Sequence, residues 1–148
     1  MEYKNNKLEN FEKKLKIQRV AVIGLGVSNI PLIEYLYKKQ ADVTIFDDRE
    51  EEKFDSNIIE KIKRYGFKYY FGKGNLENLK GFDLIFRSPS CLPTKAELVE
   101  EKNRGAIITT EIEQLMKIAP CKTIGITGSD GKTTTTTLTY EILKDAGY

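Results

Sequence analysis

RVAVIGLGVSN, residues 19–29, decides the architecture. Its first part is an apolar run with no alternation, which suits a strand buried on both faces in a parallel sheet covered by helices. Gly24 and Gly26 then allow a tight turn and a close backbone approach by an anionic ligand. Residues 30–39, IPLIEYLYKK, carry the periodicity of a helix packed on that sheet. A dinucleotide fingerprint places a third glycine where Asn29 stands, and a lone GxG also serves simple strand-to-helix packing.

Working outward, the same unit recurs. Before it, Leu8, Phe11 and Leu15 at helical spacing suggest a short amphipathic helix over residues 5–16. After it, DVTIF (42–46) reads as a second strand ending in Asp47, Asp48 and Arg49. In a doubly wound sheet that end lies beside the glycine turn, so these side chains are candidates for a nucleotide's ribose or base. A helix over 57–65, with Ile58, Ile59 and Ile62 inward, closes on Gly66. FKYYF (67–71) is a third strand with core aromatics, and 72–81 a glycine-punctuated connection carrying Leu76 and Leu79. FDLIF (82–86) is a fourth strand, followed by the proline-fixed loop RSPSCLP. Ser88, Pro89 and Ser90 there offer hydroxyl and N–H donors on the ligand side, whereas Cys91 has no activating partner in sequence. Thr94 with Glu97 looks like the start of a helix ending near Arg104, and residues 106–109 make a fifth strand. Residues 110–118 form a further helix. The expected class is α/β, a Rossmann-like five-stranded parallel sheet flanked by helices.

A second phosphate-binding candidate comes last, in ITGSDGKTTTTT (126–137). Residues 123–127, TIGIT, read as a buried strand, and residues 132–146 as a helix, so Gly128, Ser129, Asp130 and Gly131 fall at a strand-to-helix junction. Such a curl aims N–H groups into one concavity at the positive end of a helix. Lys132 adds a mobile charge for the β- and γ-phosphates of a nucleotide, the Thr133 hydroxyl is placed for Mg²⁺, and Thr134 follows in the first turn. The strict pattern wants glycine where Ile126 stands, so this is a variant of the phosphate loop.

Composition excludes several chemistries. There is no histidine, so histidine bases, Ser-His-Asp triads and Cys/His zinc sites are absent from this sequence. With 24 basic against 22 acidic side chains and no long run of one sign, neither nucleic acid nor an anionic membrane is an expected principal partner. Cys91 and Cys121 have no paired spacing, the first 17 residues have no apolar export core, and no apolar run approaches the ~20 residues of a span. The expected location is the cytoplasm.

Four motifs in order, VIGLGVSN, FDDR, SPSCLP and TEIEQL followed by ITGSDGKTTT, resemble the amino-terminal part of the Mur ligase family, in its MurD-like branch. The resemblance covers roughly residues 18–148. It implies a UDP-substrate domain over residues 1–118 and the start of an ATP-binding central domain over 119–148. It places Val27 and Ser28 at the diphosphate, Asp48 and Arg49 near the uracil, and Ser88, Pro89 and Ser90 beside the same nucleotide, with Gly24, Gly26 and Asp47 also in the UDP-substrate site. Gly128, Ser129, Asp130, Gly131, Lys132, Thr133 and Thr134 would bind ATP, with Mg²⁺ on Thr133 and Lys132 stabilising the transferred phosphoryl group. The implied substrates are UDP-N-acetylmuramoyl-L-alanine and D-glutamate, joined through an acyl phosphate in peptidoglycan precursor synthesis. These residues alone are expected not to turn over, and the last helix, through Leu138, Ile142 and Leu143, to be mobile or to self-associate. The family's usual SPG is SPS here, and Asn29 replaces a common glycine. Two other readings stand beside this one: an NAD(H)-binding sensing module with Asp47 on the ribose, and a phosphate-loop kinase or switch, against which the late position of the loop argues.

Overall fold

The computed structural model describes residues 4–148. Five parallel strands form one sheet in the order β3-β2-β1-β4-β5, with β1 (Arg19–Ile23) at the centre. β2 (Asp42–Asp47) and β4 (Leu84–Arg87) flank it, Val20 pairing with Val43 on one side and Leu84 on the other. β3 (Lys68–Phe71) and β5 (Ile107–Thr109) are the edges. Because the chain leaves β1 toward β2 and later returns to the other side as β4, the carboxyl ends of β1 and β4 frame the crevice where open α/β sheets take ligands.

Side chains alternate between two buried layers, as the two-residue period of a strand requires. Val20, Val22, Val43, Ile45, Leu84 and Phe86 face one way, where α2 (Asn29–Lys38) contributes Leu32, Ile33 and Leu36 and α3 (Ser56–Tyr65) contributes Ile62. Ala21, Ile23, Phe46 and Ile85 face the other way, onto Leu98 of α4 (Ala96–Asn103) and Leu76 of a 3-10 turn, Asn75–Asn78. Burial on both faces explains why the β1 segment is apolar without alternation. α1 (Asn6–Leu15) packs on α5 (Glu111–Ile118), joined by Asn5 Nδ2 donating to Ile118 O at 2.9 Å. Of the α3 isoleucines, Ile59 and Ile62 are buried and Ile58 half-buried, and Gly66 closes the helix in the left-handed region. The strand 67–71 does place Tyr69 and Phe71 against the core, while Tyr70 stacks on Phe46.

Two expectations fail. Thr94 does not cap α4: the Lys95 N–H donates to Leu92 O, drawing Thr94 into a turn, and the helix starts at Ala96 with no side-chain cap. Residues 123–127 are not a strand and are exposed except for half-buried Ile126. β-Branched residues favour a pleated surface that packs against neighbours, and no described strand lies beside these. The helix after them, α6 (Lys132–Asp145), does form.

Candidate functional site

The turn after β1 is fastened from three directions. The Gly24 N–H donates to Phe46 O at 2.7 Å and the Ser88 N–H to Ile23 O at 2.8 Å, extending the sheet ladder past both strand ends. Asn29 is buried and donates from Nδ2 to Gly24 O at 2.7 Å and Ile23 O at 3.3 Å. Its side chain therefore occupies the place of the third glycine and ties α2 to the strand. Gly24 has φ +84°, and a Cβ there would lie 2.7 Å from Ser88 Oγ, so the β1 turn and the β4 loop touch through a position only glycine fits.

Asp47 is the third fastening. Its carboxylate, 7% exposed, accepts from the Leu25 N–H (2.7 Å), the Arg49 N–H (3.0 Å), Arg49 Nε (2.9 Å) and Arg49 Nη2 (2.9 Å). Burial pushes this carboxyl up, but the hydrogen bonds from Arg49 and Leu25 together outweigh it and hold the group below its ordinary value. Arg49 Nη2 also donates to Leu25 O at 3.1 Å, and its guanidinium lies over the Phe54 ring at 4.3 Å. Asp47, expected at a ribose, thus spends both oxygens inside the protein, and the first glycine turn and Arg49 sit at one end of the sheet.

Two adjoining cavities open at this end. One, about 350 Å³, is lined by Gly24, Gly26, Asp47, Asp48 and Arg49 on one side and Ser88, Ser90, Cys91 and Lys95 on the other. The next, about 380 Å³, runs from Val27, Ser28 and Asn29 past Pro89 to Thr110, Glu111 and Ile112. Gly26, Ser88 and Ser90 line both, and the Ser88 and Ser90 hydroxyls are 3.0 Å apart. Every early site residue named from the sequence therefore borders one cleft. Val27 is 92% exposed, and Ser28 holds the N-cap position of α2 without a side-chain cap bond, leaving its hydroxyl available. Burial raises the Cys91 thiol, in keeping with an unactivated cysteine.

Sequence reasoning missed Lys95, Asn75 and the start of α5 as parts of this region. Thr110 caps α5 in a reciprocal box with Glu113, a signal the sequence does carry, and so fixes Glu111 and Ile112 at the second cavity.

The phosphate-loop residues lie together in a local curl. Gly131 is the N-cap of α6 at φ +75°, and its carbonyl accepts from the Thr135 N–H at 2.9 Å. Lys132 Nζ donates to Ser129 O at 2.9 Å and to Gly128 O. Gly128, Ser129, Asp130, Thr133 and Thr134 are all exposed. Thr136 and Thr139 donate back to the carbonyls of Lys132 and Thr135, which accounts for part of the threonine run. The late loop does not join the sheet that holds the early cleft, because the strand expected before it does not form.

The model of the amino-terminal domain of MurD-like Mur ligases matches residues 18–110. The chain belongs to the MurD-like Mur ligase family. This MurD-like chain is 46% identical over 144 residues to the UDP-N-acetylmuramoylalanine–D-glutamate ligase of Acetivibrio thermocellus, covering 97% of the chain and 31% of that protein. Identity to the enzyme of the same name from Ruminiclostridium cellulolyticum is 49% with the same coverage, and to that of Clostridium novyi 48%, covering 93% and 30%. The chain spans about a third of the length of these curated relatives. Among solved structures, the A chain of dipicolinate synthase from Bacillus subtilis is similar at a TM-score of 0.48 and 15% identity, over 77% of this chain and 43% of that one. Among the described residues, no helix of the MurD-like chain is long and apolar enough to cross a membrane.

Proposed function

We propose that this chain holds the nucleotide-sugar substrate of an ATP-dependent ligase that joins D-glutamate to UDP-N-acetylmuramoyl-L-alanine in peptidoglycan precursor synthesis. The observation that carries the reading is the pair of cavities meeting at Gly26, Ser88 and Ser90, in a chain of the MurD-like family. A UDP-sugar needs a pocket for the base, a cradle for two phosphates and a groove for the sugar, in that order. Here the first cavity takes the nucleoside. The exposed turn of Gly26, Val27 and Ser28, with the Ser88 and Ser90 hydroxyls, takes the diphosphate, and the second cavity carries the sugar and its peptide toward α5. Asp47 acts through the turn it fastens, which sets it against an NAD ribose.

The phosphate loop fits a polyphosphate by its donors: the Lys132 ammonium, N–H groups at the start of α6 and the Thr133 hydroxyl. Lys132 exchanges its own loop carbonyls for phosphate oxygens and offsets charge on the transferred group. ATP supplies a phosphoryl group to the substrate carboxylate, giving an acyl phosphate that the amine of D-glutamate attacks with release of phosphate. The Thr133 hydroxyl, in the first turn of α6, would hold the Mg²⁺ that accompanies the phosphates. Ligation itself is proposed for proteins of the relatives' full length. Calorimetric titration tests the reading: saturable binding of UDP-sugar and indifference to NADH are expected. Saturable NADH binding with no response to millimolar UDP would replace it by the sensing module.

A further inference from the structure

A further cavity, about 220 Å³, opens where β4 and β5 begin, at the opposite end of the sheet from the nucleotide cleft. Leu84 and Ile107, the first residues of those strands, and Phe11 of α1 are apolar walls of it. Leu84 is buried, but Ile107 is 48% exposed on an edge strand of the sheet. Around them stand three lysines, Lys7 and Lys14 from α1 and Lys117 from α5, with three carboxamides and no carboxylate.

Among the described residues none of these lysines has an ion pair. The nearby carboxylates are engaged elsewhere: Glu9 lies 3.8 Å from Lys4, Glu12 2.7 Å from Lys39, and Asp83 accepts from the Arg19 N–H at 2.8 Å. Helix dipoles favour cations in a last turn, which accounts for Lys14 and Lys117. Lys7 stands in the first turn of α1, where the dipole disfavours a cation. Positive charge is therefore gathered around an apolar hollow beyond what the helices themselves favour.

Sites for whole small molecules start at about 300 Å³, so this hollow has the size for one anchoring side chain. An anionic membrane fits it poorly, because Leu15 and Phe11, the side chains α1 would insert, pack on the core. We propose that this face docks an acidic peptide segment of a partner protein. One apolar side chain of the segment enters between Phe11, Leu84 and Ile107, and carboxylates on either side of it meet Lys7, Lys14 and Lys117.

The test follows the fluorescence anisotropy of a labelled, blocked pentapeptide, leucine between two pairs of glutamates, titrated with this chain. Saturable binding is expected, weakening severalfold from about 50 to about 200 mM salt. Alanine in place of the leucine should weaken it at least about fivefold. Lys7→Glu with Lys117→Glu should weaken it about tenfold or more, whereas Lys7→Arg with Lys117→Arg should retain it, with folding checked by circular dichroism. UDP binding should be the same in all variants, so failure here leaves the nucleotide cleft standing. No saturable peptide binding, or binding indifferent to the charge reversals or to the leucine, overturns the proposal. Preference for phosphatidylglycerol vesicles over the peptide also overturns it and assigns the face to a membrane. The alanine peptide decides on the unaltered chain, whatever the variants do to folding.

Discussion

Two glycine turns lead into helices in this chain, one at residues 24–29 and one at 128–134, and they are held in opposite ways. The first is fastened by partners far away in sequence: Phe46, Asp47 and Ser88 all reach it, and Asn29 bolts its helix to the strand. Among the described residues, the second has hydrogen-bond partners only within four residues, namely Lys132 on its own loop and the threonines on their own helix. A glycine turn is thus held only as firmly as the elements that fasten it, and the glycine pattern by itself supplies shape without that fastening.

Removing the buried carboxylate is the strongest way to break that contrast. Asp47→Ala leaves the Leu25 N–H and the Arg49 guanidinium without their acceptor and should cost about 3 kcal/mol of stability, measured by urea unfolding. A loss under about 1 kcal/mol would show that the first turn stands without its clasp. The sign of the acid response follows from the depressed carboxyl of Asp47. Its contribution is whole above the unfolded value of about 4 and is lost as pH falls through the lower folded value, so Asp47→Ala should flatten the acid side of the stability profile.

A matched pair of glycines sharpens the comparison. Gly24 and Gly131 both have positive φ, but a Cβ meets Ser88 at the first and open space at the second. Gly24→Ala should cost about 2 kcal/mol or more and Gly131→Ala about 1 kcal/mol, the latter visible only in the hydrogen exchange of α6. Equal effects in global unfolding would erase the distinction. Asn29→Gly, which restores the third glycine, should still lose about 1 kcal/mol because two carbonyls lose their donor. No change in the midpoint would mean that α2 needs only the space. Lys132→Met comes last, with a shift within about 0.5 kcal/mol, because its bonds are exposed and local.

The sheet was legible because its rules are local: apolar runs without alternation, glycine at strand exits, and a strand-to-strand spacing that leaves room for helices. The cleft was legible because each named loop follows a strand and so lies at one end of a parallel sheet. What escaped depends on partners brought together by folding. Asp47 reads as a ligand for a ribose, yet its partners are the N–H groups of Leu25 and Arg49. Asn29 reads as a missing glycine, yet it donates to the strand. Asn75 is one of two asparagines, with Asn78, in a glycine-punctuated connection, with no pattern to announce it. TIGIT, residues 123–127, reads as a strand from its β-branched side chains, but pleating without a neighbour leaves backbone groups to water.

The bond from Asn5 Nδ2 to Ile118 O joins positions 113 apart and brings both extremities of the sheet unit to one spot on its surface. Topologically the unit is then almost a closed loop. A short bridge from 118 back to 5, with a new opening cut between the exposed Glu52 and Lys53 of the 3-10 turn Glu51–Lys53, would keep every strand beside its present neighbour.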